Sequence, residues 1–220
     1  MRTRVKVCCM ASPGEVRAAV AAGADALGFV GEMPSGPGPI TDEQAHEAAA
    51  ACPPGVSAFL LTSREAPEAI AEHAHTVGVR VVQLVKHLDP AVHQAVRALE
   101  PMLRLVQVIH VEDENAVELA RTYGRTADAL LLDSGRPSLT VAELGGTGRT
   151  HDWALSRRIV HDSPVPVWLA GGLTASNVGE AIEQVNPFGV DLCSGVRTAG
   201  RLDARKLSAF FHAVRIAKGG

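Results

Sequence analysis

The chain has 220 residues, a formal net charge of −3, and 46% hydrophobic but only 4% aromatic residues. A chain of this size buries a sizeable core, built here from Ala, Val, Leu and Ile. The charge balance argues against a nucleic-acid surface, which needs clustered Lys and Arg. No apolar run approaches the roughly 18 residues of a membrane span, and the apolar part of the N-terminal segment is too short for a secretory signal. The four cysteines are Cys8, Cys9, Cys52 and Cys193. Adjacent Cys8 and Cys9 make a poor disulfide pair and no C-x-x-C spacing occurs, so a reduced, cytoplasmic protein is expected.

The elements alternate from the start. Val5–Met10 is predicted as a strand. Ser12-Pro13, a cap followed by a first-turn proline, opens a helix to about Ala22, which Gly23 ends. A strand at Ala26–Val30 leads into a Gly/Pro-rich loop, Gly31–Pro39. Thr41 caps the next helix, with Gln44 placed for a capping box. Strands follow at Val56–Leu61, Val79–Leu84 and Arg104–Val111. Helices lie between and after them at Ala66–Val77, Pro90–Leu99 and Glu114–Tyr123. The sixth strand, Ala129–Leu132, runs into Asp133 and a long loop before a helix at Asp152–Val160. Strands at Val165–Ala170 and Gly189–Cys193 and helices at Asn177–Val185 and Asp203–Ala217 complete the series.

Eight strand–helix units, about 25–30 residues each with no linker, imply a parallel sheet closed into a single-domain (β/α)₈ barrel over residues 1–220. An open doubly wound sheet would carry Gly-x-Gly-x-x-Gly after its first strand, and Ala11-Ser12-Pro13-Gly14 stands there instead.

Barrel active sites sit at the C-terminal ends of the strands. That rule selects Cys8-Cys9, Gln83, Gln107 and His110, Asp133, Gly171-Gly172, and Ser194-Gly195. Gly171-Gly172 after strand seven and Ser194-Gly195 after strand eight suit a phosphate grip made of backbone N–H groups. Cys8 and Asp133 face each other across the mouth and could move protons on opposite sides of a small substrate. The alternatives are a small buried hydrophobe at Cys8 and a loop cap at Asp133. Lys6 shares the inward face of Cys8, placed to stabilise a thiolate or to pair with Asp133. Cys9 points away and reads as packing, as do Cys52 and Cys193. His73 and His75 lie on a polar helix and read as solvated. The nine histidines form no ligand set, so no metal is expected.

Lys6-Val7-Cys8 resembles the Lys-Ile-Cys-Gly opening of the phosphoribosylanthranilate isomerase family, barrel enzymes of tryptophan biosynthesis. Further matches follow in order along nearly the whole chain. They are Ala24–Phe29, Leu131-Leu132-Asp133, Gly145-Gly146-Thr147-Gly148 with Asp152-Trp153, Leu169–Leu173 with Asn177-Val178, and Gly189–Val196 with Gly200 and Asp203. The resemblance implies an aldose–ketose isomerase performing an Amadori rearrangement, with Asp133 as general acid and Cys8 as general base, and no cofactor. It implies a small phosphorylated substrate contacted by Lys6, Gln83, Gly146, Gly148, Gly171, Gly172, Ser194 and Gly195. It also implies a lid from Ser134 to Thr150, including Arg136 and Arg149, and a monomer or homodimer.

Some positions depart from the family pattern. Cys9 replaces a Gly. Gly36-Pro37-Gly38 replaces Ser-Pro-Arg. Val85-Lys86 follows Gln83-Leu84 where His-Gly is usual. Gln107 replaces a Lys, and Arg197 a Glu. The anthranilate end is therefore rewritten, with Lys86, His87 or Arg197 as candidate replacements for the lost cation. The alternative is a paralogous isomerase or lyase acting on a different phosphorylated aminosugar or sugar.

Overall fold

The computed structural model describes residues 2–34, 36–135 and 151–217. Eight parallel strands close into a barrel: β1 (Arg4–Val7), β2 (Ala26–Val30), β3 (Ser57–Thr62), β4 (Val81–Leu84), β5 (Arg104–His110), β6 (Ala129–Asp133), β7 (Val167–Leu169) and β8 (Gly189–Leu192). Closure comes from β8 pairing with β1, where Lys6 stands beside Asp191 and Val7 beside Leu192. The helices are α1 (Pro13–Ala22), α2 (Asp42–Ala50), α3 (Pro67–Val77), α4 (Pro90–Leu99), α5 (Asn115–Tyr123), α6 (Trp153–Asp162), α7 (Val178–Val185) and α8 (Ala204–Ile216). The predicted single-domain (β/α)₈ barrel is the observed architecture.

Local chemistry sets the helix ends. The Ser12 hydroxyl accepts from the Glu15 amide, Pro13 fills the first turn, and Gly23 closes α1 at φ 105°. Thr41 and Gln44 form the full capping box of α2. Asp152 accepts from the Ala154 amide at the start of α6.

Strand boundaries moved where the backbone had a reason. The first strand ends at Val7 rather than Met10 because Cys9 adopts φ 64° and turns the chain out of the sheet. The seventh is short because Pro164 and Pro166 lack the N–H a ladder needs. Beyond β8 a 3₁₀ turn, Ser194–Val196, leads into a hairpin, β9 (Arg197–Thr198) with β10 (Arg201–Leu202), that periodicity could not reveal in two-residue strands.

The larger core lies between strands and helices and includes Val5, Val7, Leu27, Leu60, Leu105, Leu130 and Leu132. The barrel interior holds Phe59, Val106, Val108, Leu131 and Trp168. Edge-to-face stacking of Trp168 with Phe59 and Phe188 adds to this inner packing. Toward the C-terminal mouth the interior turns polar. Lys6, Gln83 and Asp191 are buried there, against the ordinary preference of charged groups for water.

Candidate active site

A cavity at the mouth is lined by Cys8, Gln83, Asp133, Asp191, Gly171, Gly172 and Ser194, with an apolar side formed by Val30, Met33, Leu61 and Val85. The predicted acid and base thus share one cavity. Lys6 lies beneath it, fully buried, its Nζ 3.0 Å from Asp191 Oδ2. Pairing with Asp191, not Asp133, is what the structure selects for Lys6. Strand pairing dictates this, because Lys6 and Asp191 occupy the same rung of β1 and β8.

The electrostatics separate the two predicted proton-transfer groups. Burial pushes the Cys8 thiol up to about 11, although Lys6 pulls it down. Burial also raises the Asp133 carboxyl, to about 6, opposed by the Ser134 amide that donates to Oδ1 at 2.7 Å. Burial disfavours the Lys6 charge, yet Asp191 and then Cys8 hold its pKa above the ordinary value, so the ammonium stays charged. Gly28 makes room for this cluster. A Cβ there would lie 2.7 Å from Cys8 Sγ and 3.1 Å from Lys6 Nζ.

The predicted phosphate grip is assembled from two neighbouring turns. Gly171 and Gly172 take φ of 84° and 61° in succession, a backbone that side chains other than Gly rarely adopt. Ser194 faces the same cavity. Gly195 does not line it; it packs behind the first turn, where a Cβ would lie 2.2 Å from the Leu173 carbonyl oxygen. Asn177 fixes that turn by donating to the Gly172 carbonyl and accepting from the Thr174 amide. Gly146, Gly148, Arg136 and Arg149 lie outside the described residues, as does most of the predicted lid.

Other expectations are corrected. Gln107 faces the helix layer, where its Oε1 pairs with His93 Nε2 at 3.1 Å and its amide nitrogen donates to the Lys86 carbonyl. His110 is buried against the Val85 carbonyl and the His87 ring, outside the cavity lining. None of the three candidate cations lines the cavity either. Lys86 pairs with Glu65, His87 packs on His110 and Tyr123, and Arg197 is spent on Glu15, the Gly200 carbonyl and the Cys9 carbonyl. His73 is not solvated: it is buried, bonded to Thr62 Oγ1 and Asp42 Oδ1 at 3.0 Å each, and burial lowers its pKa. Cys9 and Cys193 are not separate packing residues. They are joined as a disulfide between the ends of β1 and β8, with Cα atoms 6.0 Å apart, so the fully reduced state expected from the cysteine spacing is corrected: only Cys8 and Cys52 are free.

One site residue escaped the sequence reading, Asp191. Asp191 lines the cavity with Oδ1 buried and unpartnered among the described residues, as is Oε1 of the predicted Gln83. Such acceptors suit hydroxyl or N–H groups of a ligand. The available signal for Asp191 was its alternation with Leu192 along β8, which puts it on the inward face. His151 sits against Gly171, where its Nδ1 would be 3.0 Å from an added Cβ.

The family model for N-(5′-phosphoribosyl)anthranilate isomerase matches residues 5–213. The chain belongs to the phosphoribosylanthranilate isomerase family. It is 36% identical to the isomerase of Methanocella arvoryzae over 98% of this chain and 100% of that one. It is 40% identical to the Halobacterium salinarum isomerase, with 94% of each covered. The Thermus thermophilus phosphoribosylanthranilate isomerase structure superposes with a TM-score of 0.83 at 28% identity, covering 98% of this chain and 100% of that one. A family structure in complex with reduced 1-(o-carboxyphenylamino)-1-deoxyribulose 5-phosphate superposes at 0.81 and 28% identity, covering 97% and 98%.

Proposed function

We propose that this chain is a cytoplasmic N-(5′-phosphoribosyl)anthranilate isomerase that converts its small phosphorylated substrate into the 1-deoxyribulose phosphate product. The observation that carries this reading is one cavity holding a carboxyl raised to about 6 and a thiol beside a buried ammonium, next to a glycine turn fit for phosphate.

The substrate phosphate sits on the N–H groups of the Gly171-Gly172 turn and beside Ser194. Asp133 gives its proton to the furanose ring oxygen as the C1′–O bond breaks, leaving a protonated Schiff base. Cys8 takes the C2′ proton, and the electron pair of that C–H bond neutralises the iminium to give an enolamine. Protonation at C1′ and loss of the enol proton yield the aminoketose.

The order matters. With the carboxyl raised to about 6 and the thiol pushed up to about 11, few free molecules carry the acid and the thiolate together. The iminium cation created by the first step lowers that barrier, since a new positive charge in a buried site favours the thiolate. Lys6, held by Asp191, keeps one fixed cation beneath the thiol throughout. Asp191 Oδ1 and Gln83 Oε1 accept from the ribose hydroxyls or the amino N–H.

Complementation tests this reading directly. Expression should restore growth without tryptophan to an auxotroph lacking this isomerase, and Cys8→Ala or Asp133→Ala should abolish the rescue. A folded protein with no turnover of phosphoribosylanthranilate would overturn it.

A further inference from the structure

We propose that Cys9 and Cys193 form a thiol–disulfide exchange site at the cavity mouth, whose substrates are low-molecular-weight thiols and disulfides and whose state tunes the grip on the phosphorylated substrate. Both cysteines line the cavity, and together they tie the end of β1 to the end of β8 across 184 residues of sequence. Cys9 directly follows Cys8, and Cys193 directly precedes Ser194. The covalent link therefore joins the backbone of the proposed base to the backbone of the proposed phosphate turn.

Access differs between the two residues. Cys9 is buried at 5% exposure, whereas Cys193 is half-buried. An incoming thiolate reaches Cys193 first. It attacks Cys193 Sγ, the protein S–S bond breaks, and Cys9 leaves as a thiolate that takes up a proton. A second thiolate then attacks the outer sulfur of the mixed disulfide. The small disulfide departs, and Cys193 is left as a thiol. Two electrons pass from two small thiols to the protein, and a small disulfide runs the sequence backwards.

The reduced state has a partner waiting. Cys9 Sγ lies 3.6 Å from the Pro37 carbonyl oxygen, to which only the free thiol can donate. Reduction thus exchanges a bond to β8 for a contact with the loop after β2, and that loop also lines the cavity through Gly36 and Pro37. The surroundings of Cys9 are tight. Its carbonyl accepts from Arg197, and a Cβ on Gly38 would lie 2.6 Å from its own. A change at Cys9 is therefore felt at Cys8 and at the hairpin carrying Arg197. Cys8 stays out of the exchange because burial keeps its thiol neutral.

The test uses the full chain in glutathione buffers of graded oxidised-to-reduced ratio, without denaturant. After an acid quench, thiols are alkylated in denaturant and counted by mass. Two thiols should react after oxidation and four after reduction, with reversible interconversion and a Cys9–Cys193 peptide in the oxidised sample. Cys9→Ser should trap glutathione on Cys193, while Cys193→Ser should leave Cys9 unmodified. In the oxidised protein KM for the phosphorylated substrate should be roughly three- to tenfold lower than in the reduced protein or either variant, the gain from pre-ordering one or two loop side chains. Four free thiols at every ratio, exchange only in denaturant, or a glutathione adduct on Cys9 in Cys193→Ser would overturn the site. Equal KM in both states would overturn its link to the phosphate turn. The thiol counts hold whether or not the chain turns over phosphoribosylanthranilate, so failure here is distinct from failure of the isomerase reading.

Discussion

Lys6→Met isolates the buried charge on which the site is built. Met keeps most of the length and apolar stem of Lys6, so the main loss is the ammonium 3.0 Å from Asp191, in a pair whose side chains are 0% and 8% exposed. Breaking a buried pair by removing one partner costs about 3–5 kcal/mol, because the other charge is left without compensation. Asp191 can escape by protonation, which gives the loss a pH signature. In the variant its folded pKa is raised by burial, while its unfolded pKa stays near the ordinary value of about 3.9. The native state then binds the proton first, so the variant regains stability as pH falls from neutral toward 4, by up to about 1.4 kcal/mol for each pH unit. Urea unfolding at pH 7 and pH 5 measures both effects. Lys6→Met/Asp191→Leu should lose much less than the sum of the two single variants. Losses under about 1 kcal/mol, or strictly additive ones, would refute the ion pair as the organising charge of the site.

Three further outcomes follow from the same geometry. Asp133→Asn should lower kcat by about 10²–10⁴, the usual worth of a positioned acid, with far-UV circular dichroism unchanged; a loss under tenfold would remove Asp133 from the mechanism. Alkylation of Cys8 by iodoacetamide, followed by mass spectrometry, should accelerate about tenfold per pH unit up to about 11, because only the thiolate reacts and burial holds the thiol neutral below that; a plateau below pH 9 would contradict the buried-thiol picture. Gly28→Ala would place a methyl 2.7 Å from Cys8 Sγ, so it should destabilise the fold by about 1–3 kcal/mol and depress kcat more than it raises KM; unchanged kcat would show that the base tolerates displacement.

The sequence by itself determined the architecture, because its signals are local. Ser12-Pro13, Thr41 with Gln44, and Asp152 cap their helices through contacts two or three residues away. Apolar runs ending in Cys8, Asp133 and Gly171 mark strand ends wherever the barrel closes. Once eight units imply closure, the mouth residues follow without knowledge of function, which is why Cys8, Gln83, Asp133, Gly171, Gly172 and Ser194 were legible before any coordinates. The strand-end rule failed at Gln107, which stands within β5 with its side chain on the helix side, and the polar-helix reading failed at His73, whose neighbours concealed a buried contact with Thr62 and Asp42.

Tertiary structure alone decided what lies between the two ends of the chain. Lys6 with Asp191, Cys9 with Cys193, and Arg197 with Glu15 are each separated by most of the sequence. No periodicity spans that distance. These pairs form only because β8 lies down beside β1, and that single act of closure sets the charge beneath the proposed base, joins it covalently to the proposed phosphate turn, and occupies the arginine that the sequence had offered to the substrate.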